Sequence, residues 1–69
     1  MNFFKMKRVE KNLSIQDIVN EINYPKSVIE DIENDIVNFL PRPYAYYCAK
    51  SYGECLKISN LIDVIEKYK

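Results

Sequence analysis

The apolar residues of this chain recur at intervals of three and four, the spacing that places side chains on one face of an α-helix. The first helix is predicted over about residues 3–11 from four residues at this spacing, namely Phe4, Arg8, Val9 and Leu13. The same pattern continues to the end of the chain, so we expect an all-α fold. Five helices are predicted, over about residues 3–11, 15–22, 25–33, 44–55 and 60–68.

Capping and turn residues mark the boundary between the second and third helices. The hydroxyl of Ser14 can cap the second helix, and Asp17, three residues later, is in the position of a capping-box acid. Asn23 suits the left-handed conformation that a tight turn between helices requires. Pro25 suits the first turn of the third helix. The apolar stripe of the second helix is predicted to consist of Ile15, Ile18, Val19 and Ile22.

The second half of the chain has weaker sequence signals for helix boundaries. The residues between Asn34 and Pro43 form a connection, and its apolar members are expected to fold back over the core because they would otherwise be exposed. Ser59 can cap the fifth helix. The apolar residues of the third helix are Val28, Ile29 and Ile32, those of the connection are Ile36, Val37, Phe39 and Leu40, and those of the fifth helix are Leu61, Ile62, Val64, Ile65 and Tyr68.

The second and third helices together predict a helix-turn-helix over about residues 15–34. Short turns between two helices are common, so the side-chain pattern matters more than the spacing. Apolar residues fill the positions at which this motif packs its two helices, namely Ile18, Val19, Ile22, Tyr24, Ile29 and Ile32. The chain therefore resembles the Cro/C1-type, lambda-repressor-like superfamily, which implies a compact five-helix domain.

Length and composition restrict the possible functions. Sixty-nine residues with 48% hydrophobic content predict one ordered domain, covering residues 1–69. No apolar run approaches the roughly 20 residues of a membrane-spanning helix, so a cytoplasmic location is expected. Cys48 and Cys55 are about 10.5 Å apart along one helix, too far for a disulfide, and are expected to be reduced packing residues. The chain has no histidine. We therefore expect neither an enzyme nor a metal or other cofactor.

Charge is distributed unevenly along the chain although its net value is zero. Residues 1–14 carry a net charge of +3, residues 15–35 of −5, and the remainder of +2. Because phosphate neutralisation supplies much of the affinity of DNA-binding proteins, an acidic recognition helix disfavours DNA binding. The alternative function, a small DNA-binding transcription regulator, would rely on Lys26, Ser27 and Asn34, with the basic N-terminal segment brought near the phosphates in a dimer.

Three sequence stretches resemble a specific branch of this superfamily. They run from Leu13 to Val19, from Val28 to Asn34, and from Phe39 to Tyr44, and the last is followed by Lys50-Ser51-Tyr52. The resemblance is to the cytoplasmic domain of the RodZ family of bacterial cell-shape proteins. It implies docking onto the actin-like filament protein MreB through aromatic side chains of the fourth helix. RodZ proteins usually continue into a membrane-spanning segment, so membrane tethering is expected if the chain is part of a longer one.

The fourth helix carries the predicted partner-binding residues. Tyr44 and Cys48 match the positions at which the family has aromatic contacts, and Tyr47 can supply a ring beside Cys48. Together with Tyr46 and Tyr52 these tyrosines cover more than one helix face, so at least one ring must point outward. Tyrosine is enriched at interface hot spots. The predicted partner-binding set is Tyr44, Tyr47, Cys48 and Tyr52. The alternative that all four tyrosine rings belong to the core or its rim stays open at this point.

Overall fold

The computed structural model describes residues 2–69 as a chain of short helices without strands. The helices are α1 (Phe3–Glu10), α2 (Ile15–Ile22), α3 (Lys26–Glu33), α4 (Tyr44–Cys55) and α5 (Leu61–Val64), followed by a 3-10 helix (Glu66–Tyr68). The predicted all-α fold with five helices is confirmed. Met1, the first residue of the predicted domain, lies outside the described residues.

The start of α2 and the turn that follows it have the predicted local structure. The Ser14 hydroxyl accepts a hydrogen bond from the Asp17 N–H at 3.0 Å, and the Asp17 carboxylate accepts one from the Ser14 N–H at 2.8 Å. The bond from the Ser14 N–H to the carboxylate holds the pKa of Asp17 below its usual value. Asn23 has a φ of 61°, which gives the left-handed turn. Pro25 lies at the N-cap of α3, one position before the first turn in which it was predicted.

The core forms around α4, against which α2 packs. Val28, Ile29 and Ile32 of α3 are buried as predicted. In α2, Ile18 is fully buried, whereas the other three residues of its predicted stripe are half-buried and pack against the core. Val9 departs from the predicted pattern, because its side chain is 49% exposed on the outer face of α1. The core consists of Phe4, Ile18, Val28, Ile29, Ile32, Ala45, Cys48, Ala49, Tyr52, Leu56, Ile58, Ile65 and Tyr68.

Gly53 allows α5 to approach α4 closely. A Cβ atom at this position would overlap the Cδ1 atom of Leu61. The glycine is therefore a packing residue inside a helix, where it otherwise lowers stability by about 1 kcal/mol relative to alanine.

The end of the chain differs from the predicted fifth helix over residues 60–68. Its N-cap is Asn60 without a side-chain hydrogen bond, so Ser59 is not the cap. The α-helix stops after Val64, and the 3-10 helix then turns Ile65 and Tyr68 into the core. This shorter, tighter ending leaves Ile62 60% exposed, against the prediction.

The connection before α4 supports this ending. Val37, Phe39 and Leu40 pack against the core as predicted, whereas Ile36 is 40% exposed. The Arg42 guanidinium donates hydrogen bonds to the backbone carbonyls of Val37, Lys67 and Lys69, at 2.6, 3.3 and 3.0 Å. Through these hydrogen bonds Arg42 links the last turn of the described chain to the residues that precede α4.

Candidate binding surface on the fourth helix

The burial pattern of α4 decides which of its tyrosines face solvent. The helix begins where the N–H groups of Tyr44 and Ala45 donate to the carbonyl of Pro41, at 2.8 and 3.2 Å. The residues that face the core recur at helical spacing and are Ala45, Cys48, Ala49, Tyr52 and Gly53. Tyr44 and Tyr47 lie one turn apart on the opposite side, so both project outward.

Three tyrosines lie close together in sequence at the start of α4, and two of them are exposed. Tyr44 is 62% exposed and Tyr47 is 52% exposed, whereas Tyr46 is half-buried. The rings of Tyr46 and Tyr47 pack edge to face, with centroids 5.8 Å apart. The Lys69 ammonium lies 5.8 Å from the centroid of the Tyr46 ring. We call the residues Tyr44, Tyr46 and Tyr47 the tyrosine surface.

Cys48 and Tyr52, the other two predicted partner-binding residues, lie in the core. Both side chains are fully buried, because they occupy the inward stripe of α4. Burial raises the pKa of the Cys48 thiol to about 12. Neither side chain reaches the surface, so the structure corrects the prediction that they touch a partner. Cys48 and Cys55 are both free thiols, as expected.

Tyr52 belongs instead to a buried polar cluster with Arg8 and Glu33. Its ring stacks on Phe4 with centroids 5.1 Å apart, and its hydroxyl donates a hydrogen bond to the Glu33 carboxylate. Arg8 donates to both oxygens of that carboxylate, at 2.8 and 3.1 Å, and to the Leu13 carbonyl at 2.8 Å. This cluster links α1, α3 and α4 through groups that are 25 and 19 residues apart in sequence.

The cluster shifts the protonation equilibria of its members. Burial by itself would raise the pKa of Glu33, but the hydrogen bonds from Arg8 and Tyr52 outweigh it and hold that pKa below its usual value. The hydrogen bond to Glu33 raises the pKa of Arg8. The pKa of Tyr52 is raised, mainly because its hydroxyl is buried and also because it donates a hydrogen bond to Glu33. Arg8 and Glu33 are therefore both ionised at neutral pH, and their opposite charges compensate each other inside the protein.

This compensation changes the surface charge estimated from the sequence. Glu33 no longer adds to the acidic face of the helix-turn-helix, and Arg8 no longer adds to the basic N-terminal segment. Exposed or half-buried acids still outnumber Lys26, the one cation of residues 15–35. Those acids are Asp17, Glu21, Glu30, Asp31 and Asp35.

The residues of the alternative DNA-binding set are all exposed. Lys26 and Ser27 lie in the first turn of α3, and Asn34 lies at its C-cap, about 12 Å further along the axis. Glu30 is exposed between them. The three residues thus share a helix whose accessible charge is negative, which opposes the approach of a phosphate backbone.

A family model described as a helix-turn-helix domain matches residues 3–61. The chain belongs to this helix-turn-helix domain family. No curated protein and no solved structure matches the chain. Membership of the helix-turn-helix family identifies a domain that binds a macromolecule, either DNA or protein.

Two observations concern the part of the chain that the structure describes. Among residues 2–69, every helix is too short or too polar to cross a bilayer. The same residues contain no cluster of three or more metal-ligating side chains.

Nothing in the sequence indicated that Lys69 lies beside the tyrosine surface. The predicted continuous fifth helix gave no reason to place the end of the chain next to the Tyr46 ring.

Proposed function

We propose that this chain is a non-catalytic module that docks onto an actin-like filament protein, MreB, in bacterial cell-shape control, and that the tyrosine surface makes the contact. The observation that carries the proposal is the exposure of Tyr44 and Tyr47 side by side on a helix whose other face is fully buried. The RodZ-like stretches of the sequence supply the partner. This function belongs to the cytoplasm, with membrane tethering only through a longer chain.

The physical case rests on the fixed position of the helix that carries the two rings. Tyrosine buries a large area at an interface, loses little side-chain entropy and keeps a hydroxyl that can pair with the partner. Because Ala45, Cys48 and Ala49 fix α4 against the core, the helix backbone that carries Tyr44 and Tyr47 is in place before a partner arrives. Preorganised aromatic residues of this kind are typical interface anchors.

Charge supports a protein partner over DNA. The face of α3 that would enter the major groove carries Glu30 and Asp31. Binding of DNA through Lys26, Ser27 and Asn34 is therefore the second candidate, supported by the exposure of those three side chains.

The proposal is tested by co-sedimentation of the purified chain with polymerised MreB. The Tyr44→Ala and Tyr47→Ala variants are each expected to weaken binding by about 30-fold, the typical loss for a hot-spot residue. Ile62→Ala is the matched control, because Ile62 is equally exposed but lies on α5, and it should bind like the wild type. Absence of binding by the wild type, or equal binding by all variants, contradicts the proposal.

The second candidate is tested by gel shift with random-sequence duplex DNA. Phosphate contacts are strongest at low salt, so about 50 mM salt is the most permissive condition. We expect no shifted band. A band that the Lys26→Ala variant abolishes would favour the DNA-binding regulator instead.

A further inference from the structure

A second surface lies at the opposite end of α4 from the tyrosine surface. A groove runs between the outer side of α1 and the segment that follows α4. Its lining includes Lys7, Lys11 and Lys57, with Phe3 contributing an apolar wall and Ser59 a hydroxyl. We call it the lysine groove. Because α4 has 12 residues and is about 18 Å long, the groove and the tyrosine surface lie near its opposite ends.

Backbone structure fixes the direction of the Lys57 side chain. Lys57 has a φ of 57°, and the turn is closed by a hydrogen bond of 3.1 Å from the Ile58 N–H to the Gly53 carbonyl. Leu56 and Ile58, on either side of Lys57, are buried. Lys57 is consequently exposed at the edge of the groove, next to the last turn of α1.

The lysines of the groove have no acidic partner among residues 2–69. None of the ion pairs of this part of the chain involves Lys7, Lys11 or Lys57. Lys7 lies 5.5 Å from the centroid of the Phe3 ring, a contact that leaves its charge uncompensated. Among the described residues that line the groove, Glu10 is the one acid. The groove therefore carries a net positive charge next to apolar surface.

We infer that the lysine groove binds an acidic polypeptide segment in an extended conformation. Complementary charge on the lysines attracts carboxylates, and the Phe3 wall offers a contact for one apolar side chain. A concave groove suits a single extended chain better than a flat bilayer or a base-paired duplex, and Phe3 has no role in phosphate binding. With the tyrosine surface at the other end of α4, the domain would hold two partners at once. This inference does not depend on the identity of the filament partner.

The test is fluorescence anisotropy with a labelled peptide of aspartate and glutamate residues around a central leucine, at low salt. Wild-type binding that weakens as salt increases is expected. Neutralising two lysines with Lys11→Gln and Lys57→Asn together should weaken binding at least about fivefold, since each exposed ion pair contributes modestly. Asparagine tolerates the left-handed backbone of residue 57, so the double variant should remain folded.

Two further variants make the result decisive. Glu10→Gln removes the acid at the rim and should tighten peptide binding about twofold or more, a gain that partial unfolding cannot produce. Lys26→Gln, on α3 and outside the groove, should change nothing. The inference is overturned if the wild type does not bind the peptide. It is also overturned if the double variant binds as well as the wild type, or if duplex DNA or phosphatidylglycerol vesicles bind the groove more tightly than the peptide.

Discussion

The hydroxyl of Tyr52 donates a hydrogen bond to the carboxylate of Glu33 in the middle of the domain, where Arg8 also binds that carboxylate. This relationship accounts for two departures from the sequence-based picture. It keeps Tyr52 away from any partner, and it removes Glu33 from the acidic surface of α3. The tyrosines that remain exposed are confined to the first turns of α4.

Removing the charge of Glu33 should destabilise the protein strongly. Glu33→Gln leaves Arg8 ionised and buried without a counter-charge, which costs about 3–5 kcal/mol of unfolding free energy. Glu30→Gln, an exposed acid on the same helix, is the control and should change stability by less than about 0.5 kcal/mol. Urea denaturation followed by circular dichroism measures both. Equal losses of unfolding free energy in the two variants would mean that the buried Arg8–Glu33 pair contributes no more to stability than an exposed acid.

Loss of the Tyr52 hydroxyl should have an effect that depends on pH. Tyr52→Phe removes a hydrogen bond to a charged group and should cost about 1.5–3 kcal/mol at neutral pH. The pKa of Glu33 is lowered in the folded protein. The ionised carboxylate therefore stabilises the fold at pH values above the unfolded-state pKa of about 4.3, and this stabilisation is lost as the pH falls through the folded-state pKa.

The difference in stability between the wild type and Tyr52→Phe should therefore be largest above pH 5 or so and shrink at lower pH. Denaturation curves at a series of pH values measure it. A difference that stays constant, or grows as pH falls, would show that Tyr52 does not stabilise the ionised form of Glu33.

The capping box of α2 should contribute measurably to stability. Ser14→Ala removes the acceptor of the Asp17 N–H and should lower the unfolding free energy by about 1 kcal/mol. Ser27→Ala, at an exposed site in the first turn of α3, is the control. Thermal melts distinguish the two, and identical melting temperatures would indicate that solvent replaces the cap without loss.

Gly53 and Leu61 should be energetically coupled. Alanine at position 53 brings a Cβ into the Leu61 side chain, which must move away and lose its packing. In a Leu61→Ala background that conflict is absent, and Gly53→Ala should then stabilise the protein by up to about 1 kcal/mol through helix propensity. A double-mutant cycle by denaturation measures the coupling. Equal effects of Gly53→Ala in both backgrounds would contradict close packing of α5 on α4.

The helix-turn-helix could be predicted from sequence because its signals are local. Helical spacing of apolar residues, the capping box at Ser14 and the left-handed Asn23 each act within a few positions, and the structure has all of them. The fifth helix could not be predicted as it is, because burial of Tyr68 and the hydrogen bonds from Arg42 override local helical preference.

The candidate site could be predicted only in part for the same reason. A tyrosine cluster in α4 is visible in the sequence, but which rings face outward depends on how the helix is seated on the core. The charges of Arg8 and Glu33 are summed into different segments of the sequence, and only the fold brings them within 2.8 Å of each other. Tyr44 and Tyr47 are exposed, whereas Cys48 and Tyr52 are core residues.

The most direct test of the proposed binding surface is a map of amide chemical shifts of the isotope-labelled chain during titration with unpolymerised MreB. We predict that signals from the first two turns of α4, around Tyr44 and Tyr47, shift or lose intensity first, while those of Lys26, Ser27 and Asn34 stay unchanged. Changes concentrated on α3, or none at all on α4, would contradict the account.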